Sequence, residues 1–145
     1  MAGDTTPYRI MLADSHAILR QGLRGILQEK PGLEVIGEAS DGIELLNFLR
    51  VSELQPHMLI VDFSMPNLSG IEAARQIKMI RPGIKILALS MHKEREYLER
   101  YFSAGAEGYL LKEDSDTELF SAIDVIRQGG LYISSLLSGK STPER

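Results

Sequence analysis

Four polar residues, far apart in the chain, each follow directly on a short apolar run. Asp14 follows Arg9–Ala13, Asp62 follows Met58–Val61, Ser90 follows Ile84–Leu89 and Lys112 follows Gly108–Leu111. Brought together, two carboxylates, a hydroxyl and an ammonium make a definite chemical set. The carboxylates can hold a hard cation such as Mg²⁺, which favours one or two carboxylates completed by water. The hydroxyl and the ammonium can then bind the oxygens of a phosphoryl group and neutralise the charge its transfer develops. Singly, each residue has a plainer role: a turn-starting aspartate, a turn serine, a surface lysine. The set points to phosphoryl chemistry only if the fold gathers all four.

The elements that would gather them are legible in the hydrophobic pattern. Met58–Val61 is apolar throughout and is bounded by Asp62, Pro66 and Gly70, the signature of a strand buried on both faces. Arg9–Ala13, Leu33–Glu38, Ile84–Leu89 and Gly108–Leu111 read as four further strands, with Leu33–Glu38 suited to a sheet edge. Helical spacing links Leu19, Leu23, Ile26 and Leu27; then Leu45, Leu46 and Leu49; then Ile71, Ala74, Ile77 and Ile80. Tyr97, Leu98, Tyr101 and Phe102 form a fourth stripe, and Leu119, Ala122, Ile123 and Ile126 a fifth. Asp41 with Glu44, and Ser69 with Glu72, have the form of capping boxes, and Gly105 suits a helix C-terminus. Five strands alternating with five helices imply a parallel sheet covered on both faces. In such a sheet the C-terminal strand ends lie along one edge, so Asp14, Asp62, Ser90 and Lys112 converge.

Composition narrows the classes. With 145 residues, 43% hydrophobic and 25% charged, the chain suits one globular domain. No apolar segment approaches the roughly 18 residues of a membrane span, and no signal peptide opens the chain, so a cytoplasmic protein without a membrane partner is expected. Having no cysteine, it has no disulfide, thiolate metal site or cysteine nucleophile. A net charge of −4 argues against holding nucleic acid by bulk charge. No Gly-rich Lys-Ser/Thr loop supports a kinase or GTPase. Residues 1–7 read as a flexible leader, 8–130 as the domain and 131–145, rich in Ser with Gly and Pro, as a linker.

From about Tyr8 to Gly130 the chain resembles the receiver domain of two-component response regulators. Val61-Asp-Phe-Ser-Met-Pro-Asn-Leu-Ser-Gly70 is similar to the segment around that family's phosphoacceptor aspartate, Leu89-Ser90 to its strand-four hydroxyl, and Tyr109-Leu-Leu-Lys112 to its aromatic switch and lysine. Leu89-Ser-Met-His92 and Gly108-Tyr-Leu-Leu-Lys-Glu113 resemble most the NarL/FixJ branch of transcription factors. The resemblance implies a flavodoxin-like (βα)₅ fold, a doubly wound five-stranded parallel sheet of order 2-1-3-4-5. It implies phosphoryl transfer from a histidine kinase to Asp62, with Lys112 and Ser90 binding the new group. Asp14, Asp62 and the backbone carbonyl of Ser64 would hold Mg²⁺. Ser90 and Tyr109 would form the switch, Tyr109 moving inward as Ser90 turns to the phosphoryl group, so that the surface of helix four, strand five and helix five changes shape. The expected protein is no enzyme beyond self-catalysed phosphoryl acceptance and autodephosphorylation. Expected partners are the kinase, a second copy of the chain, and DNA only through a helix-turn-helix domain beyond Arg145, which makes the chain a truncated piece.

One position departs from the pattern. The family usually has two adjacent acids after strand one; here Asp14 is followed by Ser15. A hydroxyl is a weaker ligand for a hard cation, so Ser15 is a weak or water-mediated ligand and Mg²⁺ binds loosely. That motivates an alternative: an atypical receiver acting as a protein-interaction module without phosphorylation. His16 is expected only to open the first helix. A haloacid-dehalogenase-type hydrolase is disfavoured, because the general-acid Asp it needs two residues after the nucleophile is here Ser64.

Overall fold

A computed structural model describes residues 6–138. Strands β1 (Tyr8–Ala13), β2 (Leu33–Ala39), β3 (Met58–Asp62), β4 (Lys85–Ser90) and β5 (Gly108–Leu111) alternate with helices α1 (Ala17–Gln28), α2 (Gly42–Val51), α3 (Gly70–Ile80), α4 (Arg95–Ser103) and α5 (Ser115–Arg127). All pairings are parallel, and the order β2-β1-β3-β4-β5 is the flavodoxin-like one expected.

The period of two along each strand divides the core. Met11, Ala13, Leu59, Val61, Ile86 and Ala88 pack beneath α2, α3 and α4. Their alternates Ile10, Leu12, Met58, Ile60, Leu87 and Leu89 pack against α1 and α5. All five residues of β3 are buried, which is why its sequence shows no alternation. Burying each large aliphatic side chain of this kind contributes about 1.5–3 kcal/mol.

Local signals agree with the boundaries. Asp41 accepts the amide of Glu44 at 2.8 Å, and the Glu44 side chain accepts the amide of Ser40 at 2.8 Å. The Ser69 hydroxyl accepts the amide of Glu72 at 3.2 Å. Gly105, at φ +103°, closes α4 in the left-handed region that favours glycine. At Gly70 a Cβ would collide with the carbonyl oxygen of Asp62 and the hydroxyl of Tyr101, so only glycine lets α3 start so close to the end of β3.

Three expectations change. Ile80 is 57% exposed rather than inward, because α3 ends there. The sheet has a sixth strand, β6 (Tyr132–Ile133), parallel to β5. The expected linker therefore starts inside the packed domain. A helical turn, α6 (Ser135–Ser138), follows β6 and buries Leu137. Side chains rather than periodicity dock this segment: the Glu118 carboxylate accepts from the Tyr132 hydroxyl and from the Ser135 amide, the latter at 3.0 Å. The Ser134 hydroxyl accepts the Leu111 amide at 2.8 Å and donates to Asp114 at 2.9 Å. Residues 1–5 of the expected leader and 139–145 of the expected linker lie outside the described residues. Among the described residues no helix is long and apolar enough to cross a membrane.

Candidate functional site

The β1, β3 and β5 ends meet at one edge of the sheet. Asp62 closes β3, Asp14 follows β1, and Lys112 opens the 3₁₀ turn Lys112–Asp114 after β5. Both carboxylates are only 2% exposed. The Lys112 ammonium lies 2.9 Å from Asp62 Oδ1 and 3.6 Å from Asp14 Oδ2. Asp62 Oδ1 also faces the Ser64 amide at 3.4 Å, while Asp14 Oδ1 accepts the His16 amide at 2.7 Å. The second oxygens, Asp62 Oδ2 and Asp14 Oδ2, are buried with no hydrogen-bond donor. Buried carboxylate oxygens left without donors are costly, and sites that tolerate them usually use them.

Burial, reinforced by the negative charge of Asp14, raises the Asp62 pKa above the ordinary carboxylate range, with Lys112 pulling it down in part. Asp62 opens into a cavity of about 280 Å³ lined also by His16, Phe63, Ser64, Met91, His92 and Lys112. Its aromatic wall is ordered by ring contacts: Phe63 meets His92 edge-on at 5.0 Å, and His92 stacks on Tyr97 at 4.2 Å. The two buried donor-free oxygens are what a bound cation would complete, so the residues fit Mg²⁺ or a similar ion.

Asp14, Asp62, Ser64 and Lys112 are thus brought together as the sequence suggests. Ser90 and Tyr109 sit one layer behind. Ser90, at the end of β4, is fully buried and accepts the His92 amide at 2.9 Å. Tyr109 is already inward, at 0% exposure, its hydroxyl donating to the His92 carbonyl at 2.8 Å. Burial pushes its pKa up to about 12, the Ser90 hydroxyl opposing. Among the described residues, Ser15 makes no hydrogen bond to either carboxylate.

Two participants were not anticipated. His16 opens α1 as expected, yet its Nδ1 also stands 3.1 Å from Asp14 Oδ1, 3.8 Å from Asp62 Oδ2 and 3.3 Å from the Lys112 ammonium. Arg20 donates to the Asp14 carbonyl and, at 2.8 Å, to Glu38, tying the loop after β1 to β2. The available signal was their position: both stand on the first turn and a half after a site acid, where a helix directs side chains back toward its N-terminus.

Fold and site define a class: flavodoxin-like domains whose strand-end acids and lysine face one small polar pocket. The chain belongs to the response regulator receiver domain family, whose model matches residues 10–124. It is 35% identical over 125 residues to the transcriptional regulatory protein DegU of Brevibacillus brevis, covering 86% of this chain and 52% of that protein. The crystal structure of a LuxR-family two-component response regulator from Aurantimonas sp. SI85-9A1 superposes with a TM-score of 0.86 at 34% identity, covering 93% of this chain and 95% of that one. The isolated receiver domain of RcsB from Salmonella enterica serovar Typhimurium, solved with the phosphomimetic BeF₃⁻, gives 0.84 at 29% identity, covering 92% and 98%. The chain spans just over half the length of the curated relatives it matches.

Proposed function

We propose that this chain accepts a phosphoryl group on Asp62 from a histidine kinase and passes the event to an output, transcription in the protein as a whole. The observation that carries the reading is Asp62 itself, buried and paired on one oxygen with Lys112 at 2.9 Å, while its other oxygen has no donor. A carboxylate oxygen attacks phosphorus in a phosphohistidine or a small acyl phosphate. The P–N or P–O bond breaks, its electron pair leaves with the donor, and a mixed anhydride forms on Asp62. Lys112 stays within reach of the transferred oxygens and neutralises their charge. A divalent cation such as Mg²⁺, held by Asp14, Asp62 and the Ser64 carbonyl, would offset the charge brought by the incoming group. Ser90 would have to leave the His92 amide to reach the phosphoryl oxygens. BeF₃⁻ on the RcsB receiver and the transcriptional role in DegU's name support the same assignment. A second copy of this chain, DNA through a downstream helix-turn-helix domain, and the cytoplasm complete the reading.

Incubation with acetyl phosphate and Mg²⁺ should add one phosphoryl group by intact mass, and Asp62→Asn should abolish it. Label persisting elsewhere in Asp62→Asn removes the assignment. The alternative, an interaction module independent of phosphorylation, draws on Ser15 and on the inward Tyr109. Under it, Asp62→Asn keeps the oligomeric state and partner binding of the parent chain, and a beryllofluoride titration moves no resonance.

A further inference from the structure

Two hard carboxylates and a softer imidazole converge where the end of β3 faces the junction of β1 and α1. One atom each from Asp14, His16 and Asp62 can be chosen so that all lie within 4.8 Å of one another. Around an ion with ligand distances near 2.1 Å, adjacent ligand atoms are about 3 Å apart and opposed ones about 4.2 Å. The set needs to contract by roughly half an ångström to match that range. His16, its side chain 62% exposed, has the freedom to supply the movement.

Acidic neighbours alone would carry nothing. The second observation is the pair of buried oxygens, Asp14 Oδ2 and Asp62 Oδ2, that no donor serves. Ser15, next to Asp14, offers only a neutral hydroxyl, which bonds to neither carboxylate. The imidazole of His16 can then join the Ser64 carbonyl as a further ligand, its Nδ1 standing 3.1 Å from Asp14 Oδ1 and 3.8 Å from Asp62 Oδ2.

We propose that His16 is a metal ligand through Nδ1, and that the site prefers a borderline first-row divalent ion to Mg²⁺. Resting on the phosphoacceptor reading for its two carboxylates, the inference changes which cation they serve. Imidazole nitrogen suits ions such as Co²⁺, Fe²⁺ or Zn²⁺, whereas Mg²⁺ selects oxygen ligands and gives up water reluctantly. The His16 side chain caps no amide of α1, so its removal takes no capping hydrogen bond from the helix.

The test is calorimetric titration of Mg²⁺ and Co²⁺ into the parent chain, His16→Ala and Ser15→Asp, with proton NMR of the Co²⁺ forms. Transition ions bind most sites better than Mg²⁺, so the change in the affinity ratio decides, not the ratio itself. His16→Ala should lower the Co²⁺-to-Mg²⁺ ratio about tenfold or more by weakening Co²⁺ alone. Ser15→Asp should lower it by tightening Mg²⁺. The parent's Co²⁺ form should show a strongly shifted, solvent-exchangeable imidazole N–H resonance that is missing from His16→Ala. If His16→Ala does not fold, His16→Asn is read in the same way. An unchanged ratio, or the same Co²⁺ spectrum with and without His16, overturns the proposal. Acetyl phosphate separates the two readings. Asp62 labelling with an unchanged ratio removes only the imidazole ligand. The imidazole resonance without labelling under any metal keeps the site and removes the phosphoacceptor.

Discussion

The two edges of the sheet use similar residues to opposite ends. At the N-terminal edge the Tyr8 ring stacks on His57 at 4.9 Å, with the Arg127 guanidinium 4.2 Å from the Tyr8 centroid. His57 Nδ1 accepts the Arg9 amide at 2.9 Å, and Arg9 Nε donates to the Gln55 carbonyl at 2.7 Å. The buried atom left without a donor there is a neutral amide oxygen, Gln55 Oε1. At the C-terminal edge the corresponding atoms belong to two carboxylates. The cavity at the first edge, about 510 Å³, is also the larger. Volume would choose the N-terminal edge; two buried carboxylates sharing one ammonium choose the other, and charge is the better guide to chemistry.

The sharpest way to break that contrast is to remove one cation from each edge. Lys112→Met strands two buried carboxylates and should cost about 3 kcal/mol of unfolding free energy at pH 7. Arg127→Met removes an exposed cation from an aromatic face and should cost no more than about 1 kcal/mol. Urea melts of both variants decide. Comparable losses would show that the Lys112 contact carries no special weight. The Lys112→Met deficit should shrink as pH falls, because Asp62 then takes up a proton.

A smaller contrast lies in pH. A raised pKa means that the fold disfavours ionised Asp62. The penalty is absent below the ordinary carboxylate range, near about pH 4, and grows as pH rises through the folded value. Asp62→Asn should therefore raise the melting temperature at pH 7 and lose that advantage in acid. His57 behaves inversely: burial, then the charges of Arg9 and Arg127, lower its pKa. It contributes stability above its ordinary value of about 6.5, and that contribution is lost as pH falls through the folded value. His57→Asn should flatten the acid side of the stability profile and leave the alkaline side alone. Matching profiles for the two variants would erase the distinction between the edges.

The same distinction explains what the sequence reveals. Strand ends such as Asp62 and Lys112 are legible because an apolar run breaks abruptly into a charge, and a parallel sheet then fixes where all such breaks lie. β2 is placed at an edge by its looser alternation. The docking of Tyr132–Ser138 leaves no such trace, since it depends on Glu118, Asp114 and Leu111 from other elements rather than on any period. The His16 ring is equally silent: its spacing marks a helix start, while its direction is set by Asp14 and Asp62. Tyr109 is legible as the expected switch position, but whether its ring lies in or out depends on the His92 carbonyl that its hydroxyl finds.

The smallest effect expected concerns how each edge turns its chain. Gly32, at φ +92°, accepts the Tyr8 amide at 2.7 Å beside the N-terminal edge. The loop after Asp62 instead uses Asn67, at φ +68°, the only non-glycine residue with positive φ among the described residues. Its neighbours close a tight turn, the Leu68 amide donating to the Pro66 carbonyl at 2.7 Å. Asparagine tolerates this conformation better than other side chains, and its Nδ2 donates to Asp41 at 2.7 Å, fastening the loop that carries Ser64 to the start of α2. Two opposing terms act on Asn67→Gly. Relief at positive φ favours the variant, while the lost contact and the looser unfolded chain oppose it, so the net change should stay within about 0.5 kcal/mol. Asn67→Ala loses the contact and gains no backbone freedom, and should cost about 1 kcal/mol. Denaturant melts of the pair measure the difference directly. Equal losses would mean that the Asp41 contact, and not the backbone conformation, holds this loop in place.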